Sequence, residues 1–432
     1  MWFLNKMLAR LVRRGTLVVT DHDGSVHRYG DGTGDPIRTR LSDAGAANHI
    51  ARYPRVGAGE AYMDGRLVIE PPHDIRDLVL FAAGQSEDQS EDAFDAAGPW
   101  RRTAEKLAAR LDSFNDRRAA RANAEHTYNL TRRLYELFLD EDRQYTMAYY
   151  RDPANLVSLE QAQLDKKAHL AAKLYIHKKP DGSPMRVLDI GCGWGGFALY
   201  LNKHYGCEVL GVALAPDQIA FCKERAKAAG VSDQVRFALM DYRDVTGTFD
   251  RISSVGLLEH VGTPQYPDFY RHTLKLLKPD GVMISHCCGR TGPPGMTDAW
   301  TRKYIFPGGY IPALSELQVE AEKAGWQTMD VEAMRFHYSH TLEEWYRRTV
   351  LHKDEIVALY DERFYRMWQF YLAGAEQAFR HGGMVNWQLI YVKRRDAIPM
   401  TRDWIVEESA RLRAAETAPT WHLDPEALEA AE

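Results

Sequence analysis

Four glycines within ten residues mark where this 432-residue chain is equipped for chemistry. The run VLDIGCGWGG, residues 187–196, ends a strand-like stretch and opens a helix-like one. Gly191, Gly193, Gly195 and Gly196 allow a tight turn and let a ligand approach backbone N–H groups at a helix N-terminus. Asp189, two residues before the first glycine, stands at the strand end, where its carboxylate can accept from a cationic or hydroxylated ligand. The spacing is not G-x-G-x-x-G, so the dinucleotide fingerprint fails. A nucleotide-like ligand is the favoured reading, with a purely structural turn as the alternative. Asp241-Tyr242-Arg243 ends a third strand and offers an acid for an adenine amino group and an aromatic face for its ring. Arg243 reads equally well as part of a solvated turn. In GLLEHVG, residues 256–262, Glu259 and His260 are adjacent and diverge on any regular element, so one of them serves the site. A glutamate there can also be a helix cap or a macrodipole partner. His286 ends a fifth strand facing the same cleft, either as a site residue or as a satisfied core histidine. Cys287 and Cys288 follow it, but adjacent cysteines do not readily share a metal and no second pair follows, so no metal site is expected.

These groups need a frame that brings strand ends together. From Met185 the pattern alternates strand, turn and helix, with strands at Arg186–Ile190, Glu208–Val212, Val235–Met240, Arg251–Val255 and Gly281–His286. That rhythm predicts an α/β fold with a Rossmann-like, doubly wound parallel sheet binding its ligand at the carboxyl ends of the strands. Trp387–Lys393 reads as a closing strand, and residues 340–380 as helical and rich in aromatics, either a channel lining or a packed core. D-x-G-x-G-x-G after a strand is the S-adenosylmethionine pattern of class I methyltransferases. Before this region, residues 15–82 mix short β-like runs with turn signals and predict a smaller α+β domain.

Composition narrows the class. Lys plus Arg total 55 against 60 Asp plus Glu, a net charge of −5, which excludes a uniformly basic nucleic-acid binder. The charge is uneven. Residues 85–97 carry five acids and no base, residues 101–133 carry nine bases and four acids, and residues 405–432 carry seven acids and two arginines. The first of these segments predicts a flexible acidic linker over 84–98. Five cysteines without CxxC spacing favour a reducing compartment. No apolar run reaches the roughly 20 residues of a membrane span. The N-terminal MWFLNKMLARLVRRG is amphipathic, either a surface-lying membrane helix or a helix packed on its own domain.

The sequence resembles the cyclopropane-fatty-acyl-phospholipid synthases and the mycolic acid cyclopropane synthases from about residue 15 to 393. The resemblance rests on an ordered set: GEAYMDG (59–65), YELFLDEDRQYTMAYY (135–150), QAQLDKKAHL (161–170), VLDIGCGWGG, MDYRD (240–244), GLLEHVG, YIFPGG (304–309) and HYSHTLEEW (337–345). It implies a class I S-adenosylmethionine-dependent methyltransferase with domains at 1–83 and 99–395 and an acidic tail over 396–432. The implied cofactor contacts are Tyr145 and Thr146 for the methionine part, Gly191 and its neighbours, Leu214 and Gln218 for adenosine, and Tyr242 beside adenine. A bicarbonate ion is implied near the transferred methyl, held by Glu259, His286, Tyr338 and the backbone amide of Cys288. Met147 stands where the family has a cysteine, and methionine offers no S–H donor.

The implied reaction is methylene transfer from S-adenosylmethionine to the cis double bond of unsaturated phospholipid acyl chains. It gives a cyclopropane through a carbocation deprotonated by bicarbonate. Methyl-branched alkene formation and a silent lipid-binding role are the alternatives. The implied partner is a bilayer with anionic headgroups, reached from the cytoplasmic face by a peripheral protein, with a homodimer compatible. No nucleic-acid partner is expected.

Overall fold

The computed structural model describes residues 1–54, 56–85 and 130–416. The N-terminal unit begins with α1 (Trp2–Leu11), followed by a four-stranded sheet ordered β2-β1-β3-β4. β1 (Thr16–Thr20) pairs antiparallel with β2 (Val26–Gly30) and parallel with β3 (Ile37–Leu41), which pairs antiparallel with β4 (Leu67–Ile69). Helices α2 (Ala44–Arg52), α3 (Gly57–Met63) and α4 (Ile75–Ala83) complete it. Of the two readings of the first helix, packing on its own domain describes Leu4, which is buried with Leu17, Val19 and Ile37. Trp2 and Phe3 project outward at 61% and 66% exposure, with the Lys6 ammonium 3.8 Å over the Trp2 ring.

This unit is held to the rest of the chain by close backbone approach and buried charge. A Cβ at Gly59, in the GEAYMDG motif, would lie 2.5 Å from the Trp300 indole nitrogen and 2.7 Å from Phe370, so only glycine permits the contact. Glu60 accepts from Lys303 at 2.6 Å, from the Tyr304 hydroxyl at 2.8 Å, and contacts His49 at 2.7 Å. Arg76, in the first turn of α4, donates to both oxygens of the fully buried Glu376 at 2.6 and 2.8 Å and to Glu343 at 2.7 Å.

The larger sheet has seven strands in the order β10-β11-β9-β8-β5-β6-β7. β5 (Arg186–Ile190), β6 (Glu208–Ala213), β7 (Val235–Leu239), β8 (Phe249–Val255) and β9 (Leu277–Arg290) run parallel. β11 (Met384–Val392) is antiparallel to β9, and β10 (Gln327–Met334) antiparallel to β11, so the sheet is mixed rather than wholly parallel. β5, β8 and β11 are buried on both faces along most of their length, as the inner strands of a doubly covered sheet are. On one face, α6 (Leu159–Lys173), α7 (Gly196–Tyr205) and α8 (Pro216–Ala228) cover the core around Val187, Val209 and Phe237. On the other, α10 (Tyr266–Leu276) and α12 (Leu314–Ala324) enclose Leu188, Ile252 and Met283. Between β8 and α10 lies the short α9 (Leu258–Val261), and α11 (Ala299–Tyr304) precedes α12. Above the carboxyl ends of the strands, α5 (Arg132–Phe138), α13 (His337–Leu351), α14 (Lys353–Leu359) and α15 (Glu362–Arg380) build a third core of aromatic side chains.

Several expectations need correction. β10 is a strand missing from the expected set: Met329 to Ala333 alternate apolar and polar, but in this edge strand Met329 and Val331 face outward and Asp330 is buried. β9 extends well beyond 281–286. The supposed tail contains α16 (Asp403–Ala415), which buries Ile405, Ser409 and Leu412 against the catalytic unit. Glu416 then contacts Lys203 at 2.5 Å and His204 at 2.8 Å. Acidic composition described the exposed face of this helix and missed its buried stripe. Gly84 closes α4, and the Gln85 side chain accepts from the Arg13 and Arg14 backbones, both at 2.9 Å. Residues 86–98 of the expected linker, 101–129 of the basic segment and 417–432 of the tail lie outside the described residues.

Replacing Arg76 by Ala leaves the buried Glu376 carboxylate with fewer counter-charges. Such a change is expected to cost about 3 kcal/mol in urea unfolding. Arg363→Ala removes an exposed pair with Asp64 and is expected to cost under about 1 kcal/mol.

Candidate active site

The strand ends converge as the topology requires, and a crevice opens above β5, β6, β7 and β8. Its walls include Tyr145, Thr146, Asp189, Gly191, Gly193, Leu214, Gln218, Asp241 and Tyr242. Gly195 does not line it. With φ +80, Gly195 caps α7, and a Cβ there would lie 2.9 Å from both the Cys222 sulfur and the Phe237 ring. Its role is to let the turn pack down, whereas Gly191 and Gly193 form the floor.

Asp189 is buried and accepts from the Ser253 hydroxyl at 2.7 Å. Burial pushes its carboxyl up to about 6, opposed by the Ser253 hydrogen bond and the charge of Lys166. At the end of β7, Asp241 accepts from the Arg243 backbone at 3.0 Å and from its guanidinium at 2.8 and 2.6 Å. Arg243 is therefore not simply a solvated turn residue; it orients Asp241. Tyr242 rests edge-on against Phe269 at 5.5 Å and presents the crevice with an aromatic wall. Glu259 and His260 diverge as their adjacency demands. His260 lines the crevice, and burial alone pushes its imidazole down to about 4, so it is neutral.

Glu259 turns the other way, toward β9, where Oε1 accepts from the Cys288 backbone N–H at 2.5 Å. Its Oε2 is buried without a hydrogen-bond partner. Burial raises the Glu259 carboxyl above its ordinary range, and the Cys288 amide opposes the rise. Cys288 packs against the aromatic core that holds Tyr145, Tyr338 and Tyr371. There the Tyr145 and Tyr371 hydroxyls are 3.3 Å apart, Tyr145 stacks on Trp345 at 5.2 Å, and Tyr338 lies edge-on to Trp345 at 5.7 Å. Glu259, Tyr338 and Cys288 thus border an aromatic enclosure, while none of them is a wall of the crevice itself.

His286 is enclosed within the sheet at 1% exposure, with Nδ1 3.0 Å from the Gln388 amide nitrogen and Nε2 3.4 Å from that of Asn386. Burial pushes it down to about 3, leaving a neutral ring. Of the two readings, the packing matches a core histidine, and Asn386 also lies 3.6 Å from the Cys288 sulfur. Asn386 and Gln388 were missed by sequence reasoning. Their signal is two polar residues, two apart, in the otherwise apolar MVNWQLIYV, directly across from Cys288 and His286. Met147 is fully buried and lines no part of the crevice. The expected cofactor fits these walls: an acid and an aromatic for a base, apolar Leu214 and Ala213 for a ring face, and Asp189 for hydroxyls or an amine.

A seven-stranded sheet in this order with a glycine-floored crevice is the class I S-adenosylmethionine-dependent methyltransferase fold. Coclaurine N-methyltransferase bound to N-methylheliamine and SAH superposes with a TM-score of 0.61 at 17% identity, over 78% of this chain and 99% of that one. The mycolic acid cyclopropane synthase CmaA1 complexed with SAH and CTAB superposes with a TM-score of 0.58 at 27% identity, over 63% and 97%. Residues 115–389 match the mycolic acid cyclopropane synthetase family. The chain is 32% identical to the cyclopropane-fatty-acyl-phospholipid synthase of Escherichia coli K12 over 362 residues, 82% of this chain and 88% of that protein. It is 33% identical to a probable fatty acid methyltransferase of Pseudomonas putida over 343 residues, 78% and 82% of the two chains. This chain belongs to the mycolic acid cyclopropane synthetase family, and it is an S-adenosylmethionine-dependent methyltransferase.

Replacing Asp189 by Asn keeps the Ser253 contact and removes a charge from the crevice. The expected outcome is about tenfold weaker binding of S-adenosylhomocysteine by calorimetry.

Proposed function

We propose that the enzyme transfers the methyl of S-adenosylmethionine to a cis double bond in a phospholipid acyl chain and closes a cyclopropane ring. The observation that carries this reading is the unpartnered Oε2 of Glu259 at the edge of the aromatic enclosure beside the cofactor crevice. An alkene is a weak nucleophile, and methylation leaves a carbocation that water would quench. The faces of Tyr145, Trp345 and Tyr371 exclude water and stabilise positive charge. Ring closure then needs a base for a proton of the new methyl group. Glu259 fits the holding of bicarbonate, because a buried acceptor oxygen suits an oxyanion that carries a proton. Tyr338 borders the same enclosure; His286, with both ring nitrogens against strand amides, does not reach it directly. Bicarbonate, when bound, supplies the base. The Cys288 amide, expected to join that set, is engaged by Glu259 in this structure.

A second reading is methyl-branched alkene formation. It is favoured by Met147, which stands where the resemblance implies a cysteine and offers no S–H donor, and by the near-equal identity to the probable fatty acid methyltransferase of Pseudomonas putida. Incubation with unsaturated phospholipid vesicles and proton NMR of the acyl products separates the two. Upfield cyclopropyl protons are expected, and vinyl methyl signals without them would establish the branched product. Glu259→Gln is expected to lower turnover by about 100-fold while S-adenosylhomocysteine affinity stays within about threefold.

The substrate is proposed to be drawn from an anionic membrane surface, at its cytoplasmic face. Trp2 and Phe3 project beside exposed Lys6 and Arg10, a combination suited to an interface. No helix among the described residues is long and apolar enough to cross a membrane. Co-sedimentation with anionic vesicles is expected to weaken at high salt and in the Trp2→Ala/Phe3→Ala double variant, whereas neutral vesicles are expected to bind poorly.

A further inference from the structure

Lys166 is a buried ammonium whose direct hydrogen-bond partners are neutral. It sits on α6 at 1% exposure, within the motif QAQLDKKAHL, and its side chain lines the crevice beside Gln144, Thr146 and Asp189. Its Nζ donates to Gln144 Oε1 at 2.5 Å and to Thr146 Oγ1 at 2.8 Å, both neutral acceptors. An ammonium has three donors, and burying it without an opposite charge is costly.

The other cations along these walls are paired, Arg143 with Glu136 and Arg243 with Asp241, each at 2.6 Å. No carboxylate among the described residues forms an ion pair with Lys166: Asp140, Asp142 and Asp189 act on it from beyond contact distance, and each accepts hydrogen bonds from other groups. Asp142 holds Lys167 at 2.6 Å and Arg225 at 2.5 Å. Asp140 accepts from the backbones of Gln144 at 2.8 Å and Asp142 at 3.2 Å, and Asp189 accepts from Ser253 at 2.7 Å. Burial lowers the Lys166 ammonium to about 7, against the pull of Asp140.

S-adenosylmethionine carries one anionic group, the α-carboxylate of its methionine half. The opposite end of the crevice, at Asp241 and Tyr242, suits the base. We propose that Lys166 binds this carboxylate, with Gln144 and Thr146 aiming its ammonium. The inference rests on the crevice being the S-adenosylmethionine site. It gives Thr146 a defined part: its hydroxyl accepts from Lys166, so it can donate its own proton to the same carboxylate.

The test compares three ligands by calorimetry: S-adenosylhomocysteine, its decarboxylated analogue, and 5′-methylthioadenosine. The wild-type protein is expected to prefer S-adenosylhomocysteine over the decarboxylated analogue by about tenfold or more. Lys166→Met is expected to erase that preference while the affinities for the two ligands without a carboxylate change by less than about threefold. Equal losses for all three ligands would reduce Lys166 to a structural role and overturn the proposal, as would an unchanged preference.

If Lys166→Met does not fold, the wild-type pH series decides. Affinity for S-adenosylhomocysteine is expected to fall several-fold from about pH 6.5 to about pH 8.5 as the ammonium loses its proton, with the decarboxylated analogue insensitive. The titratable groups whose charge acts on Lys166, or on which it acts, are Asp140, Asp142, Lys167, Asp189 and His286. Parallel pH profiles for the two ligands would overturn the proposal. Absence of binding by all three ligands would instead defeat the S-adenosylmethionine reading of the crevice.

Discussion

The crevice depends on one buried carboxylate. Asp142 accepts from Lys167, from Arg225 and, at 3.0 Å, from the Gln144 amide. It lies against the first residue of α7, where a Cβ on Gly196 would come within 2.1 Å of Oδ2. Burial alone would raise its pKa, but Lys167 and Arg225 hold it low. The helix N-terminus favours the same ionised form. Through this group the loop carrying Gln144, Tyr145 and Thr146 is tied to α6, α7 and α8 at once. That loop then forms one wall of the cofactor crevice and, through Tyr145, one wall of the aromatic enclosure.

The same physics recurs at the junction with the N-terminal unit. Arg76 and Arg380 surround the fully buried Glu376, and Glu60 gathers Lys303, Tyr304 and His49. Charges removed from water enforce geometry because a displaced partner leaves an uncompensated ion. The first cluster engages α15 and the second α11, helices whose other side chains, Trp368 and Tyr371 on α15 and Trp300 on α11, belong to the aromatic core. The position of the small domain and the shape of the enclosure are therefore set together.

Much of the frame was legible in the chain. Five strands of the parallel core fell where strand-like runs alternate with helix-like ones from residue 185 onward, the rhythm of a doubly wound sheet. The edge strand β10 was not among them: Met329 and Val331 face outward there, and Asp330 is buried. The acidic segment after 396 read as a tail because net charge hides the buried stripe of α16, made of apolar Ile405 and Leu412 with the small Ser409 between them. Site residues at turns with unusual backbone needs, such as Gly191 and Gly193, were visible. Asn386, Gln388 and Lys166 were not, because each matters through a neighbour distant in sequence.

The sequence by itself determined the alternation of strands and helices, the glycine floor with Asp189, and the divergence of Glu259 from His260, since all three follow from local geometry. Only the tertiary structure decided which carboxylates are already paired, that Cys288 gives its amide to Glu259, and that His286 is neutral between two strand amides. It also decided that Lys166 is left with neutral partners. The physical reason is desolvation: the value of a charge or donor depends on what surrounds it after burial, and those surroundings come from segments far apart along the chain.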